Sequence, residues 1–159
     1  MDPSEVPALL QGIAVRAGYG ATPAVTAMAV TYQRAVKYTL SLRTHTETEF
    51  TVGGRGLPPA KRSGKLRGSV TKAIGGGDPV ASASVAPHTI YAAVQEMGDI
   101  MHPARKKYMH FVNDGGEWYL KEVKVGPHPY MRPTTARCIA NGSLGRAAAK
   151  AFTVAVWGQ

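Results

Sequence analysis

The sequence lacks the features of a disulfide-linked, secreted or membrane-spanning protein. Cys138 is the only cysteine among 159 residues, so no disulfide can form within the chain and folding in a reducing cytoplasm is expected. The longest stretch without a charge, residues 17–33, is too short and too polar to cross about 30 Å of hydrocarbon. Residues 1–5 are acidic, whereas a signal peptide begins with positive charge. Neither secretion nor membrane insertion is therefore expected.

Acidic residues are also scarce, which leaves the chain strongly basic. Ten Asp and Glu stand against 19 Lys and Arg, and the formal net charge is +9. Such an excess concentrates polyanions near a protein, so contact with DNA phosphates or with an acidic protein surface is favoured. The same residues also fit an ordinary solvated surface. Two clusters are candidates for contact with a neighbouring subunit or with DNA, namely Arg55, Lys61, Arg62, Lys65, Arg67 and Lys72, and then Arg105, Lys106 and Lys107.

Motifs for catalysis and metal binding are missing too. The five histidines are widely spaced and match no zinc-site pattern, so neither a metal nor a cofactor is predicted. Residues 63–65 (SGK) resemble the end of a P-loop, but the flanking glycine and hydroxyl residue of that motif are absent. Cys138 lies among small apolar residues, which favours packing over nucleophilic chemistry. We predict a protein without enzymatic activity. A small hydrolase, with carboxylates that meet only in space, stays an alternative.

Apolar periodicity predicts a long helix in the N-terminal third of the chain. Thr22 is a suitable N-cap, and Pro23 suits the first helical position because its missing N–H would have no partner there. A weaker pattern predicts a shorter helix before it that ends at Gly18. The long helix should face the core with a stripe at three- and four-residue steps, formed by Val25, Met28, Tyr32, Val36 and Leu40.

Short elements are predicted in the middle of the chain. Residues 63–70 suit a short amphipathic helix, which the glycines at 75–77 should end. Residues 80–87 alternate small and β-branched side chains and suit a strand. Residues 88–96 have apolar side chains at helical spacing, and Gly98 is placed to act as the C-cap of that helix.

An antiparallel hairpin is predicted over residues 108–125. Residues 108–112 and 118–125 are rich in aromatic and β-branched side chains, which are common in strands. Between them lies Asn-Asp-Gly-Gly at 113–116, a sequence that tolerates the positive φ angles of tight hairpin turns.

A final helix is predicted over residues 133–152, with weak points at Gly142 and Gly145. The whole chain, residues 1–159, is expected to be one domain, with a mobile Gly- and Pro-rich loop at about 53–64. The order of elements predicts an α+β fold: a long N-terminal helix, a small antiparallel sheet with a hairpin, and a C-terminal helix packed on the sheet.

Three segments of the chain form an ordered set of motifs. They are residues 63–69 (SGKLRGS), residues 91–98 (YAAVQEMG) and residues 127–133 (PHPYMRP). Together they resemble the small tail-completion, or neck, proteins of long-tailed bacteriophages. That family has roughly a Thr/Ser-Gly-x-Leu segment, a Tyr-Ala-x-x-Val-Glu-x-Gly segment and a Pro-Phe-(Leu/Met)-Arg-Pro segment before a C-terminal helix. Here an additional Gln precedes the Glu of the second segment, and Tyr130 stands in place of the usual Phe.

The resemblance implies a structural virion protein, assembled in the host cytoplasm, that forms a ring of six copies at the junction of head and tail. Its implied partners are its own copies, neighbouring neck and tail-tube proteins, and the DNA passing through the channel, with no membrane. The motif residues either hold the fold, at the central helix and at the start of the last helix, or contact partners directly. These residues are Gly64, Leu66, Tyr91, Glu96, Gly98, Pro129, Tyr130, Arg132 and Pro133.

The resemblance leaves the tier of the neck open between tail completion, tail terminator and stopper. A different class of function, a basic DNA-binding accessory protein, is the alternative that the net charge of +9 supports. Aromatic residues do not alternate with the basic clusters, so a platform for stacking single-stranded bases is disfavoured.

Overall fold

The computed structural model describes residues 6–42, 58–59, 63–104, 107–113 and 116–158. The helices are α1 (Val6–Gly18), α2 (Ala21–Thr39), α3 (Lys65–Ser69), α4 (Ala92–Met97), α5 (Met131–Ala140) and α6 (Ser143–Trp157). The strands are β1 (Val70–Gly77), β2 (Val80–Pro87), β3 (Asp99–Met101), β4 (Met109–Asn113), β5 (Gly116–Leu120) and β6 (Val123–Val125). Within the described ranges, no helix combines the length and the apolar character needed to cross a bilayer.

The architecture is α+β, as the sequence predicts. The described strands form three two-stranded antiparallel sheets, β1–β2, β3–β6 and β4–β5. The hairpin predicted around residues 113–116 is β4–β5, in which Asn113 pairs with Gly116. The long N-terminal helix, the helix ending at Gly18 and the strand at 80–87 are confirmed as well.

Helix α2 is the centre of the packing, because α5, α6 and the β1–β2 hairpin all lie against it. Helix α6 packs mainly on α2, whereas the sequence led us to expect it on a sheet. The ring of Phe152 lies directly on Gly20, where even a methyl group would clash with it, and this close approach brings α6 against the start of α2. The core cluster consists of Val36, Leu40, Val70 and Tyr130, with Tyr32, Leu66, Val85 and Met131 packed around it.

The start of α2 differs from the prediction. The helix begins at Ala21, so Thr22 lies inside its first turn and Gly20 occupies the cap position without a side-chain hydrogen bond. The capping group is instead Asp78, in the β1–β2 turn, whose Oδ1 accepts hydrogen bonds from the Thr22 N–H (2.9 Å) and the Thr22 hydroxyl (3.0 Å). The N-terminal part of the predicted core stripe is also less buried than expected, since Met28 is exposed and Ala29 is buried.

Two predicted elements are divided or extended in the structure. The glycines at 75–77 do not end a helix but form the last part of β1, paired with β2. The predicted strand at 118–125 breaks after Leu120, and its second part, β6, pairs with β3. The final helix breaks at Gly142, whose φ of 65° lies in the left-handed region, so α5 and α6 are separate helices.

Candidate assembly site

The carboxylate of Glu96, in the last turn of α4, lies against the start of α5. Its Oε2 accepts hydrogen bonds from the backbone N–H groups of Tyr130 (2.8 Å) and Met131 (3.0 Å), and its Oε1 accepts one from Arg132 (2.9 Å). The first N–H groups of a helix have no partner within the helix, and they carry the positive end of its dipole. Glu96 therefore caps α5 from a distant point in the sequence.

Gly98 and its neighbours hold Glu96 in this position. The N–H of Gly98 donates to the carbonyl of Val94 (2.8 Å) and ends α4, as predicted for a C-cap. At φ 76° and ψ 160°, Gly98 has a backbone conformation that is essentially restricted to glycine. A Cβ at this residue would lie 2.9 Å from the carbonyl oxygen of Val125. The N–H of His128 also donates to the Gln95 carbonyl (2.7 Å), so the chain leading into α5 is fixed to α4.

Tyr130 lies beneath this cap and is completely buried. Its ring is part of the core cluster with Val36 and Val70. Its hydroxyl oxygen is buried and has no hydrogen-bond partner among the described residues. Burial, and secondarily the negative charge of Glu96, raise the pKa of Tyr130 to about 12. Tyr130 thus serves as an apolar anchor whose hydroxyl is left unsatisfied.

Replacing Tyr130 by Phe should stabilise the protein. A buried hydroxyl without a partner costs about 1–3 kcal/mol of desolvation, and the Phe ring keeps the packing. We expect Tyr130→Phe to raise the free energy of unfolding by about 1 kcal/mol, measured by urea denaturation at neutral pH. A loss of stability would mean that the hydroxyl has a hydrogen-bond partner in solution, for example a buried water.

The same substitution should also change the pH dependence of stability. The pKa of Tyr130 is raised in the folded state, so the unfolded protein loses the phenol proton at a lower pH than the folded protein does. The free energy of unfolding is therefore unaffected by this group below the unfolded pKa near 10, and it falls as the pH rises towards 12. The advantage of Tyr130→Phe over the wild type should therefore grow by about 1 kcal/mol between pH 9 and pH 11. Urea denaturation of both proteins across this range tests it, and a difference that stays constant contradicts the shifted pKa.

The three motif segments of the sequence meet at the core cluster that contains Tyr130. Leu66, from the first segment, packs against the core cluster that contains Tyr130. Glu96, from the second, binds the backbone of the third. Tyr91, also from the second segment, occupies the N-cap position of α4 and is exposed. Of the remaining motif residues, Gly64 precedes α3 with a φ of 73° and Pro129 is half-buried, whereas the side chains of Arg132 and Pro133 are exposed.

A buried polar network that sequence reasoning missed also fixes α5 to α2. The hydroxyl of Thr134 donates to the Tyr130 carbonyl (2.6 Å) and lies 2.8 Å from the hydroxyl of Thr39. The guanidinium of Arg137 donates to the same Thr39 oxygen (2.9 Å). Both threonines are almost fully buried. Threonine in a helix carries no apolar periodicity, so the sequence gives no signal that these two hydroxyls meet.

The structure describes only part of the two basic clusters. Lys65 and Arg67 on α3, Lys72 on β1 and Lys107 are all exposed, and the ammonium of Lys107 lies 5.7 Å from the centre of the Tyr108 ring. Between described residues, no Lys or Arg side chain lies within 4 Å of a carboxylate. The cluster residues outside the described ranges are Arg55, Lys61, Arg62, Arg105 and Lys106, together with most of the loop predicted to be mobile at 53–64.

Large apolar side chains are exposed over much of the described surface. Among the residues whose side chains the structure describes, twenty have at least a third of their area exposed, against eight buried hydrophobic residues. On β5, Trp118 and Leu120 are exposed on one face of the strand and Tyr119 on the other. A two-stranded hairpin is only marginally stable alone in water, and contiguous exposed apolar groups mark sites of protein contact. The β4–β5 hairpin makes no more than marginal contact with the other described elements.

The described histidines form no metal site. In the part of the chain that the structure describes, no three His, Cys, Asp or Glu side chains are placed to hold a metal ion. His110 stacks on Tyr119 with ring centres 4.7 Å apart, and its Nε2 lies 3.3 Å from Glu117. Cys138 is buried on α5, in agreement with the packing role inferred from its neighbours.

The site is therefore a hydrogen-bonded junction of α4 and α5 that lies against the core cluster. In comparisons with protein-family models, with curated proteins and with solved structures, no match to this chain was found.

Proposed function

We propose that this chain is a structural subunit of the neck of a long-tailed bacteriophage, where copies of it form a ring that joins the tail to the DNA-filled head. The observation that carries the proposal is that the three segments resembling neck-protein motifs meet at the core cluster that contains Tyr130. Leu66 packs on the core, Glu96 caps α5, and Tyr130 anchors the start of that helix.

The distribution of apolar surface supports assembly as the mode of action. Exposed apolar groups occur on β5, around α4 and at the end of α6, so they do not form the wall of one pocket. A ring subunit needs such surface on more than one side, because each copy contacts two neighbours and the tiers above and below. The arrangement is equally compatible with tail completion, tail termination and a stopper role.

The oligomeric state of the purified chain tests the proposal. We expect native mass spectrometry to find one discrete closed assembly, with six copies as the resemblance implies, whose share rises with protein concentration. The exposed apolar residues supply the driving force, at roughly 25 cal/mol for each Å² removed from water. A chain that stays monomeric, both alone and with neighbouring head and tail proteins, contradicts the proposal.

A second candidate, a basic DNA-binding accessory protein, is favoured by one observation. Lys65, Arg67 and Lys72 are exposed near one another in the chain, and the described carboxylates do not neutralise them. Binding to DNA phosphates should then weaken steeply with salt, with a log–log slope of about 0.9 for each phosphate neutralised. Fluorescence anisotropy with duplex DNA measures this slope. The absence of binding at low salt removes this candidate and leaves the ring proposal untouched.

A further inference from the structure

The β1–β2 hairpin has two long outer edges. The hydrogen bond from the His88 N–H to the Ser69 carbonyl (3.2 Å) continues the ladder in register, so residues 69 and 88 form a hydrogen-bonded pair. Such pairs alternate with pairs whose N–H and C=O groups point away from the partner strand. Lys72 and Ile74 on β1, and their partners Val85 and Ala83 on β2, therefore direct their backbone groups outward.

The Val70 carbonyl supports this assignment. Val70 belongs to the outward-pointing set, and its carbonyl accepts a hydrogen bond from the side chain of Gln33 on α2 (2.9 Å) instead of from β2. Beyond Val70, no backbone hydrogen bond joins the outward groups of either strand to another described segment. Among the described residues, therefore, neither edge finds backbone partners for its outward donors and acceptors along most of its length.

The edges also carry little of the usual protection against pairing. Proteins protect exposed edge strands with charged residues, prolines or short length. Here each strand has eight residues, β2 carries no charge, and its single proline, Pro87, is the last residue. The only charged side chain in β1 is Lys72. An edge of this length with at most one charge is suited to pair with a strand from another chain.

We propose that the β2 edge of one copy pairs with the β1 edge of the next, so that the hairpins form a continuous antiparallel sheet around the assembly. The two edges have equal length, and their outward groups lie directly across the hairpin from one another. Because the edges differ, the contact is head-to-tail, which is the type of interface that closes into a ring. Small side chains such as Ala83 let the strands approach without steric conflict. The inference rests on the ring proposed above and identifies its contact.

Two proline substitutions at opposite positions of one ladder pair test this. Ala83→Pro blocks the β2 edge, and Ile74→Pro blocks the β1 edge. Both N–H groups point outward, so neither proline removes a hydrogen bond from the hairpin itself. Each variant alone should need at least a tenfold higher concentration than the wild type to assemble. An equal mixture should form a one-to-one heterodimer, because each variant keeps the edge that the other lacks. Circular dichroism is the control for folding, and both variants should give the spectrum of the wild type.

The other outcomes are distinguishable by native mass spectrometry. If both variants form the wild-type ring, the edge pairing is wrong and the proposed ring stands. If Ile74→Pro still dimerises while Ala83→Pro does not, the β2 edges pair with each other and the head-to-tail contact is wrong. If the wild type never assembles, the ring proposal itself fails. Hydrogen exchange gives an independent check, since the Ile74 and Ala83 amides should be protected only in the assembly. Their protection in a monomer would overturn the inference.

Discussion

Glu96→Ala should cost about 3 kcal/mol of folding free energy. Removal of an ordinary N-cap costs about 0.5–2 kcal/mol, and hydrogen bonds to a charged group are each stronger than neutral ones. Glu96 accepts three such bonds, at 2.8, 3.0 and 2.9 Å, and it holds α4 and α5 together as well as satisfying α5. The loss of its carboxylate leaves the backbone N–H groups of residues 130–132 without their acceptor. Urea denaturation measures the effect.

Glu96→Gln and Glu122→Gln are the matched variants for this prediction. The glutamine side chain in Glu96→Gln keeps the shape but has one acceptor oxygen, so this variant should lose about half as much stability as the alanine variant. Glu122 is exposed and lies outside the junction, so its replacement should change stability by less than about 0.5 kcal/mol. Equal effects at residues 96 and 122 would show that the capping geometry contributes nothing beyond charge.

Gly98→Ala should also be strongly destabilising, by about 3 kcal/mol or more. A non-glycine residue in such a conformation costs about 1–3 kcal/mol. In addition, the new Cβ would lie 2.9 Å from the Val125 carbonyl oxygen and 3.0 Å from the backbone nitrogen of Pro127. Neither contact can be relieved by turning a flexible side chain, so the chain between α4 and α5 must shift. The midpoint of thermal unfolding should fall by about 2–4 °C per kcal/mol.

Gly145→Ala is the control for Gly98→Ala. Gly145 lies inside α6 and has no positive φ, and a methyl group added there would meet no atom within 4 Å. Alanine is the better helix former by about 1 kcal/mol, so this variant should be slightly more stable than the wild type. If both alanine variants changed stability in the same direction, the special role of Gly98 would be contradicted.

Periodic and local signals explain which parts of the fold could be predicted. The long helix follows from apolar spacing, and Val36 and Leu40 of the predicted stripe are indeed buried. The β4–β5 turn follows from residues that tolerate positive φ, and Gly116 has a φ of 118°. The C-cap at Gly98 follows from a glycine after an apolar helical pattern. Each of these signals lies within a few residues of the element that it predicts.

The missed features depend on contacts between distant residues. Asp78 caps α2 from a turn 56 residues away, so the local signal at Thr22 placed the cap on the wrong side chain. The glycine run at 75–77 reads locally as a break, but pairing with β2 holds it in a strand. Thr39 and Thr134 are polar and meet across 95 residues, which no pattern within one helix can reveal.

For the candidate site, the sequence motifs select residues but do not show what those residues do. Glu96, Gly98 and Tyr130 could be selected from the motifs, and the structure brings them to one junction. Their physical roles could not be read from the sequence, because an N-cap supplied by a remote carboxylate has no local signature. The exposure of Trp118 and Tyr119 was equally hidden, since a strand rich in aromatic residues is more often buried.

Electron microscopy of the assembled chain tests the central claim most directly. Class averages of the purified protein, at a concentration where native mass spectrometry finds one closed species, should show a ring around a central channel. We expect the ring to have rotational symmetry with identical contacts between successive copies. The resemblance to the phage neck proteins implies six copies. Isolated monomers or open filaments under the same conditions would contradict it.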